Sequence, residues 1–493
     1  MARLTHDCLL IVFKELKKDI RSLFSCLLVN RLWCETAVPI LWKNPWALFQ
    51  HHSITNNYES LYNTIISLLP QESKDFLIQN NIDLPSSYPK PLINYIRFFQ
   101  HLDDKAMMHM SGSLIFIYSQ TKFHIFLIEQ EILKMIMSQS QRLKNLSLKT
   151  CKLKHFHYFS GATECLKNLV VFECNIEIDP SIFYGLAQIC HKIKKLYVYN
   201  CYKDNDGLIS LIEVQKKLQH FTCEFNSYME FDYPPCRGIE NALIKQANSL
   251  ISFNSQGQLT LYHLIYKKLV NLRYLKVFEL SPYPEQEYRL KAAIMPNLQK
   301  LHMNYFSLPT IIKIIESTKG NLKEIRIESE QGFSKENTTR LIQAISKNCP
   351  NLMFTTILCY GGDDDNVKEL EKLFSACSKL EKIVLVHDYF NTDAEDYDDE
   401  LLNVLVKHAP LNLISLKLEC FKFSTKNLER FFKRWKEGRR HSLSIYNLNV
   451  VYEDCFLFND EQIKLVNKYE KEGVIKEFKE IDSDYERFVD WEL

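Results

Sequence analysis

The side chains best suited to chemistry are few and scattered along the chain. Cys151, His155 and His157 lie close enough in sequence to suggest a zinc site, since thiolate and imidazole are the donors zinc takes, but no fourth ligand follows nearby. They are read as a solvated loop, with no metal. Asp363-Asp364-Asp365 and the run from Asp393 to Glu400 could hold a divalent cation, yet neither has the alternating spacing of a calcium loop. Lys433-Arg434-Trp435-Lys436, followed by Arg439 and Arg440, interleaves an aromatic with cations as a nucleic-acid contact would. At helical spacing, however, Phe431 or Phe432 with Trp435 forms an apolar stripe and the charges face water.

The phosphate-cradling, dinucleotide, zinc-protease and nucleophile-elbow motifs are all missing from the chain. The expectation is a non-enzyme with no catalytic residues, no cofactor and no metal. Among 493 residues, 61 Lys and Arg face 60 Asp and Glu, a net charge of +1 that gives no general pull toward nucleic acid or an anionic membrane. The 15 cysteines include no C-x-x-C pair, which suits a reduced compartment and points to the cytoplasm, the nucleus or both. The first apolar run, Cys8 to Phe13, is too short for a secretory leader, and no run is long enough to span a membrane.

These residues must be held by some scaffold, and its N-terminal part reads as helical. Leu9, Val12, Phe13 and Leu16 recur at helical spacing after a capping Thr5. A second helix starts at Asp19 and buries Leu23, Leu27 and Leu28; a third starts at Asn30 and stops before Pro39. Three helices in some forty residues make a core too small to stand alone, so a covering partner is expected.

Leu4, Asp7, Leu9, Leu10 and Leu16, then Ser25 to Trp33 (SCLLVNRLW), then Val38 to Trp42 (VPILW), resemble an F-box. In that family the three-helix unit docks on the Skp adaptor of cullin-based ubiquitin ligases. The resemblance implies Leu4, Leu9, Leu10, Leu16, Leu27, Val29 and Trp33 as the adaptor-contacting set. It departs from the family at Thr5, where a proline is usual.

Residues 46–113 carry helical stripes around Leu61, Ile65 and Leu68, and around Leu92, Ile96, Phe99 and Leu102, separated by a proline-rich breaker. Residues 114–138 are expected to give a strand-like piece and a helix that cap the first full repeat. From 139 to 455 the repeats take over. Leu143, Leu146, Leu148, Cys151 and Leu153 fit the form L-x-x-L-x-L-x-x-N/C-x-L; Leu166, Leu169, Val171, Cys174 and Ile176 are read as the next unit, then Ile193, Leu196, Val198 and Cys201. Later units are anchored at Phe221, Phe253, Leu275, Leu301, Ile325, Thr355, Ile383, Leu416 and Leu443, in steps of 22 to 33 residues, about twelve units in all. Cys151, Cys174 and Cys201 are expected to stack as a structural ladder.

Repeats of this length resemble the cysteine-containing leucine-rich class found in F-box proteins, with Cys190, Cys349 and Cys377 just ahead of the strand. The expected fold is α/β: a three-helix F-box, then a leucine-rich-repeat solenoid, a horseshoe with parallel strands on its concave face and helices on its convex face. Residues 456–493 read as a helical cap. Alternation places Phe172, Tyr197, Tyr199, Arg326 and Glu328 on the concave surface, as candidates for holding a protein substrate.

The function expected is a substrate-recognition adaptor, binding a Skp-type adaptor and through it a cullin ligase, and presenting a target protein for ubiquitination. The alternative is an interaction scaffold with no ligase role. No nucleic-acid or membrane partner is expected.

Overall fold

The computed structural model describes residues 5–49, 58–84, 91–118, 121–150, 155–225, 236–256, 264–278, 284–328, 334–360, 364–387, 395–419, 421–438, 441–449 and 458–482. The chain divides into two compact units, Met1–Phe225 with Met229–Ser249, and Asn226–Tyr228 with Leu250–Leu493.

The first unit opens with helices α1 (His6–Glu15), α2 (Ile20–Leu27) and α3 (Arg31–Leu41). Each starts where the sequence places a cap. Thr5 accepts from the Cys8 amide, Asp19 from Ser22 and Asn30 from Trp33, so a donor left over at each helix start is satisfied. The expected stop before Pro39 does not occur. Pro39 lies inside α3, which runs on to Leu41 because burial of Val38 and Leu41 outweighs the one hydrogen bond that proline removes. Leu9, Phe13, Leu23, Cys26, Ala37 and Leu41 form the small core of this bundle.

Trp42 leaves α3 to stack on Tyr95, 4.3 Å between ring centres, and on Phe99 at 5.9 Å, joining the bundle to the sheet. That sheet is parallel: β1 (His101–Asp103), β2 (Asn145–Leu148), β3 (Val171–Asn175), β4 (Lys195–Tyr199) and β5 (His220–Glu224). Leu102, Leu146, Phe172, Leu196 and Phe221 lie side by side across it and are buried.

Three expectations change here. Leu102 is the core residue of the first strand, not the end of a helical stripe. Residues 104–139 hold two helices, Asp104–Tyr118 and Lys122–Gln139, with no strand-like piece among their described residues. The repeat frame also slips by three residues at its second unit. Phe172 aligns with Leu146, and Cys174 with Leu148 and Val198, so Cys174 is a strand core residue and not a rung of a cysteine ladder. Cys151 lies outside the described residues.

Buried amides tie neighbouring repeats together. Asn205 Nδ2 donates to the carbonyls of Ile176 and Ile178, both at 3.0 Å, while its Oδ1 accepts from Gly207 and Leu208 at the start of the next helix. Gln215 Nε2 donates to Cys190 and Leu211 carbonyls, and its Oε1 accepts from Ile193 N. Such side chains complete the hydrogen bonding of backbone that turns inward between strand and helix. Gly207 is required where its helix meets the previous one: a Cβ there would lie 2.2 Å from the Pro180 carbonyl oxygen.

The second unit continues the pattern through β6 (Ser252–Gln256), β7 (Tyr274–Phe278), β8 (Lys300–Asn304), β9 (Glu324–Glu328), β10 (Phe354–Cys359), β11 (Lys382–His387), β12 (Ser415–Glu419), β13 (Leu443–Asn449) and β14 (Ile475–Asp482), each pairing parallel with the next. Helices such as Leu308–Ser317 and Lys335–Asn348 lie between successive strands in the chain. The anchors Phe253, Leu275, Leu301, Ile325, Thr355, Ile383 and Leu416 stand in register as expected, but the next is Ile445 and not Leu443. Past the helix Asp460–Lys471 and the break at Gly473, the tail forms β14 instead of further helix, so a repeat extends into the expected cap. The architecture is a leucine-rich-repeat solenoid preceded by a three-helix bundle.

Candidate protein-docking surfaces

The first surface is on the bundle. Leu9 is 1% exposed and is a core residue, so it cannot be an adaptor contact. Leu16, Leu27 and Trp33 are partly buried against the same core, Trp33 meeting Phe13 edge-on at 5.3 Å, and Leu10 is half-buried. Val29 is exposed as expected, and Leu4 lies outside the described residues. Beyond that set, Leu28, expected to be buried, is 89% exposed, Ile11 is 65% exposed, and Val12, Phe24 and Leu32 are also on the surface. Helical spacing cannot reveal these, because a helix that is apolar nearly all round does not say which stripe faces its neighbours.

The second surface is the face of the first unit's sheet opposite the core row. Register brings Glu173, Tyr197 and Tyr199 onto it, and Lys149, one residue past the end of β2, reaches them. Lys149 Nζ is 2.8 Å from Glu173 Oε2 and 4.6 Å from the Tyr199 ring centre, and the Tyr199 hydroxyl reaches the same carboxylate oxygen at 3.3 Å. Burial alone would lower the Lys149 ammonium; its hydrogen bonds to Glu173 and Tyr199 outweigh that and hold it above the usual lysine range. Burial, helped by the Glu173 charge, raises the Tyr197 phenol. Phe172 does not belong here: it is fully buried, 6.1 Å edge-on from Phe183. A one-residue change of parity moves a strand residue to the other face of its sheet. The same change of parity hides Glu173, although a polar residue between Phe172 and Cys174 in V-F-E-C-N marks the open side.

In the second unit, Arg326 and Glu328 each make polar contacts on the open face. Glu324 accepts from Lys300 at 2.8 Å, His302 at 2.9 Å and Arg326 at 2.6 Å. Arg326 also lies over the Phe354 ring at 4.7 Å, and Asn304 Nδ2 donates to Glu328 at 2.6 Å. Burial would raise the Glu324 carboxyl, but the donors from His302 and Lys300 and the charge of Arg326 hold it well below the usual carboxylate range. Burial lowers His302, whose Nε2 meets Glu324 at 2.9 Å and whose Nδ1 meets the Tyr274 hydroxyl at 3.3 Å. At β10 this face closes, Thr356 and Leu358 being buried.

The histidine expected in a solvated loop is not solvated: His157 is buried with neither ring nitrogen hydrogen-bonded. Trp435, Phe431 and Phe432 are core, and Lys433 and Arg434 face solvent. Both acidic runs lead into helix, Asp364–Ala376 and Glu395–His408. Among the described residues no helix is long and apolar enough to cross a membrane, and no cluster of three or more acidic, His or Cys side chains is placed to hold a metal.

No family model and no curated protein matches the chain. Among solved structures, a similar chain is the leucine-rich repeat-containing protein LegL7 from Legionella pneumophila, 12% identical, with 64% of this chain and 84% of that one covered at a TM-score of 0.29. The class is set by this chain's own geometry: a leucine-rich-repeat protein whose candidate sites are surfaces.

Proposed function

We propose that the chain is a substrate-recognition adaptor: the bundle docks as an F-box on a Skp-type adaptor, and through it a cullin ligase, while the repeats hold a target protein for ubiquitination in the cytoplasm or nucleus. The ligase chemistry belongs to other subunits. The observation that carries this reading is the exposure of Ile11, Val12, Phe24, Leu28, Val29 and Leu32 within one small bundle, since so much apolar surface in so few residues marks a protein contact. Thr5, in the usual place of proline, supports it by capping α1 with its own side chain.

Co-expression of the full chain with a Skp adaptor should give a stoichiometric complex on gel filtration. Leu28→Glu with Val29→Glu should abolish it without lowering the melting temperature. Absence of a complex with every adaptor tried would sink the reading. A second reading, an interaction scaffold in which the bundle only caps the sheet, is favoured by the stacking of Trp42 on Tyr95. It predicts no adaptor complex, and loss of stability when the bundle is removed.

A further inference from the structure

The strand-entry edge of the first unit's sheet carries a cleft of about 710 Å³ whose lining includes Arg142, Lys144, Lys192, Lys194, Lys216 and Lys217. Amides, one histidine and one valine make up the rest, and no carboxylate is among them. The concentration is local, because the whole chain is balanced at +1.

The backbone fixes these cations in place. A staircase of hydrogen bonds runs along the edge, Lys144 N to Gln100 O at 2.9 Å, Val170 N to Lys144 O at 2.8 Å, Lys194 N to Val170 O at 2.8 Å and Gln219 N to Lys194 O at 2.9 Å. Lys144 and Lys194 therefore stand two strands apart, about 10 Å. Arg142, Lys192 and Lys217 form a second row just upstream in their loops. Lys192 Nζ donates to Asn168 Oδ1 at 2.9 Å, and none of the six makes an ion pair among the described residues. Beside them, Lys43 is pushed below the usual lysine range by burial and then by Lys14 and Lys144.

Six unneutralised cations around one concavity focus a positive potential and repel one another over distances within the screening length. An arriving anion relieves that repulsion. The lining has no Phe, Tyr or Trp on which a base could stack, which disfavours single-stranded nucleic acid. Its volume suits a few side chains, and in an extended peptide the side chains on one face repeat about every 7 Å, within reach of two rows of long cationic arms. We infer that this cleft docks an acidic segment of a partner protein, its anions being carboxylates or phosphorylated side chains. The inference holds whether the chain is a ligase adaptor or a scaffold.

The test is fluorescence anisotropy of the full chain with a labelled hexaglutamate peptide, and with a serine peptide in phosphorylated and plain forms. Saturable binding that weakens with salt is expected for the anionic peptides and not for the plain one; which anionic peptide binds tighter assigns carboxylate or phosphate as the anion. Lys194→Glu with Lys217→Glu should weaken binding roughly tenfold or more. Lys267→Glu with Lys268→Glu, exposed lysines of the second unit, should leave it unchanged. Melting temperatures matched to the parent protein exclude unfolding as the cause. No binding at low salt, equal loss in the control variant, or displacement of both peptides by a tighter-binding oligonucleotide would each overturn the inference.

Discussion

Lys149, one residue past the end of β2, donates to Glu173 in β3, Nζ to Oε2 at 2.8 Å, and this ion pair fixes the Tyr199 ring beside it. The pair is about one-third exposed on each side, so its worth to stability is small, of order 1 kcal/mol or less. Its value lies in orientation. With the lysine and the carboxylate holding Tyr199, and Tyr197 half-buried on the same strand, the aromatic pair is ordered before any partner arrives, which reduces the entropy lost on binding.

Alanine at both Tyr197 and Tyr199 should therefore weaken capture of a target protein by about 2 kcal/mol or more. Adaptor binding, measured in the same co-purification, should be unchanged. Loss of both activities would mean that the tyrosines support folding and not recognition.

Leu9 and Leu28 separate stability from docking. Leu9→Ala empties a fully packed site in a six-residue core and should cost about 2 to 5 kcal/mol in denaturant unfolding. Leu28→Ala changes a side chain already in water and should stay within about 0.5 kcal/mol. If Leu28→Ala proved equally destabilising, the exposed apolar surface would be part of the fold and the docking argument would fail.

Phe172→Ala should destabilise by about 3 to 5 kcal/mol, because it removes a ring packed between Leu146 and Leu196 in the core row, whereas Glu173→Ala should be mild. A small effect of Phe172→Ala would restore it to the open face.

That residue also shows what the sequence could and could not disclose. The repeat period and most anchors from Phe221 to Leu416 are legible because a parallel rung needs one bulky apolar side chain in the same place each time. The parity of β3 is not, since Leu169 and Val171 satisfy the pattern as well as Phe172 and Cys174 do, and only pairing with Leu146 decides. The first rung was hidden by the two helices between Leu102 and Leu146, which break the period. Tyr197, Tyr199, Arg326 and Glu328 fall on the open face as read, but the Lys149 to Glu173 pair needed a contact between strands that no local pattern encodes.

The cysteines ahead of the strands should be inert. Cys190 Sγ donates to the Leu166 carbonyl at 3.5 Å and Cys377 Sγ to the Cys349 carbonyl at 3.4 Å; burial pushes the thiols of Cys165, Cys190 and Cys377 up to about 12. At neutral pH almost no thiolate exists to attack an alkylating reagent. Mass spectrometry after brief iodoacetamide treatment of the native protein should find Cys8, which is exposed, labelled and these three unlabelled until denaturant is added. Early labelling of Cys190 would show that the repeat opens locally.

Acid should weaken the second unit in two stages. Burial depresses His302 below its ordinary 6.5, so between that value and its folded pKa the unfolded chain binds more protons, and stability falls as pH drops below about 6.5. Glu324 is depressed from its ordinary 4.5, so the stability it contributes is present above that pH and is lost as pH falls further. Glu324→Gln keeps the shape but gives Lys300 and Arg326 no charge to meet. It should cost about 1 to 3 kcal/mol at neutral pH. It should also flatten the stability profile below pH 4.5 while sparing most of the upper stage. Denaturant midpoints measured across the acid range decide the matter, and a variant profile that runs parallel to the parent below 4.5 would remove Glu324 as the group holding this network together.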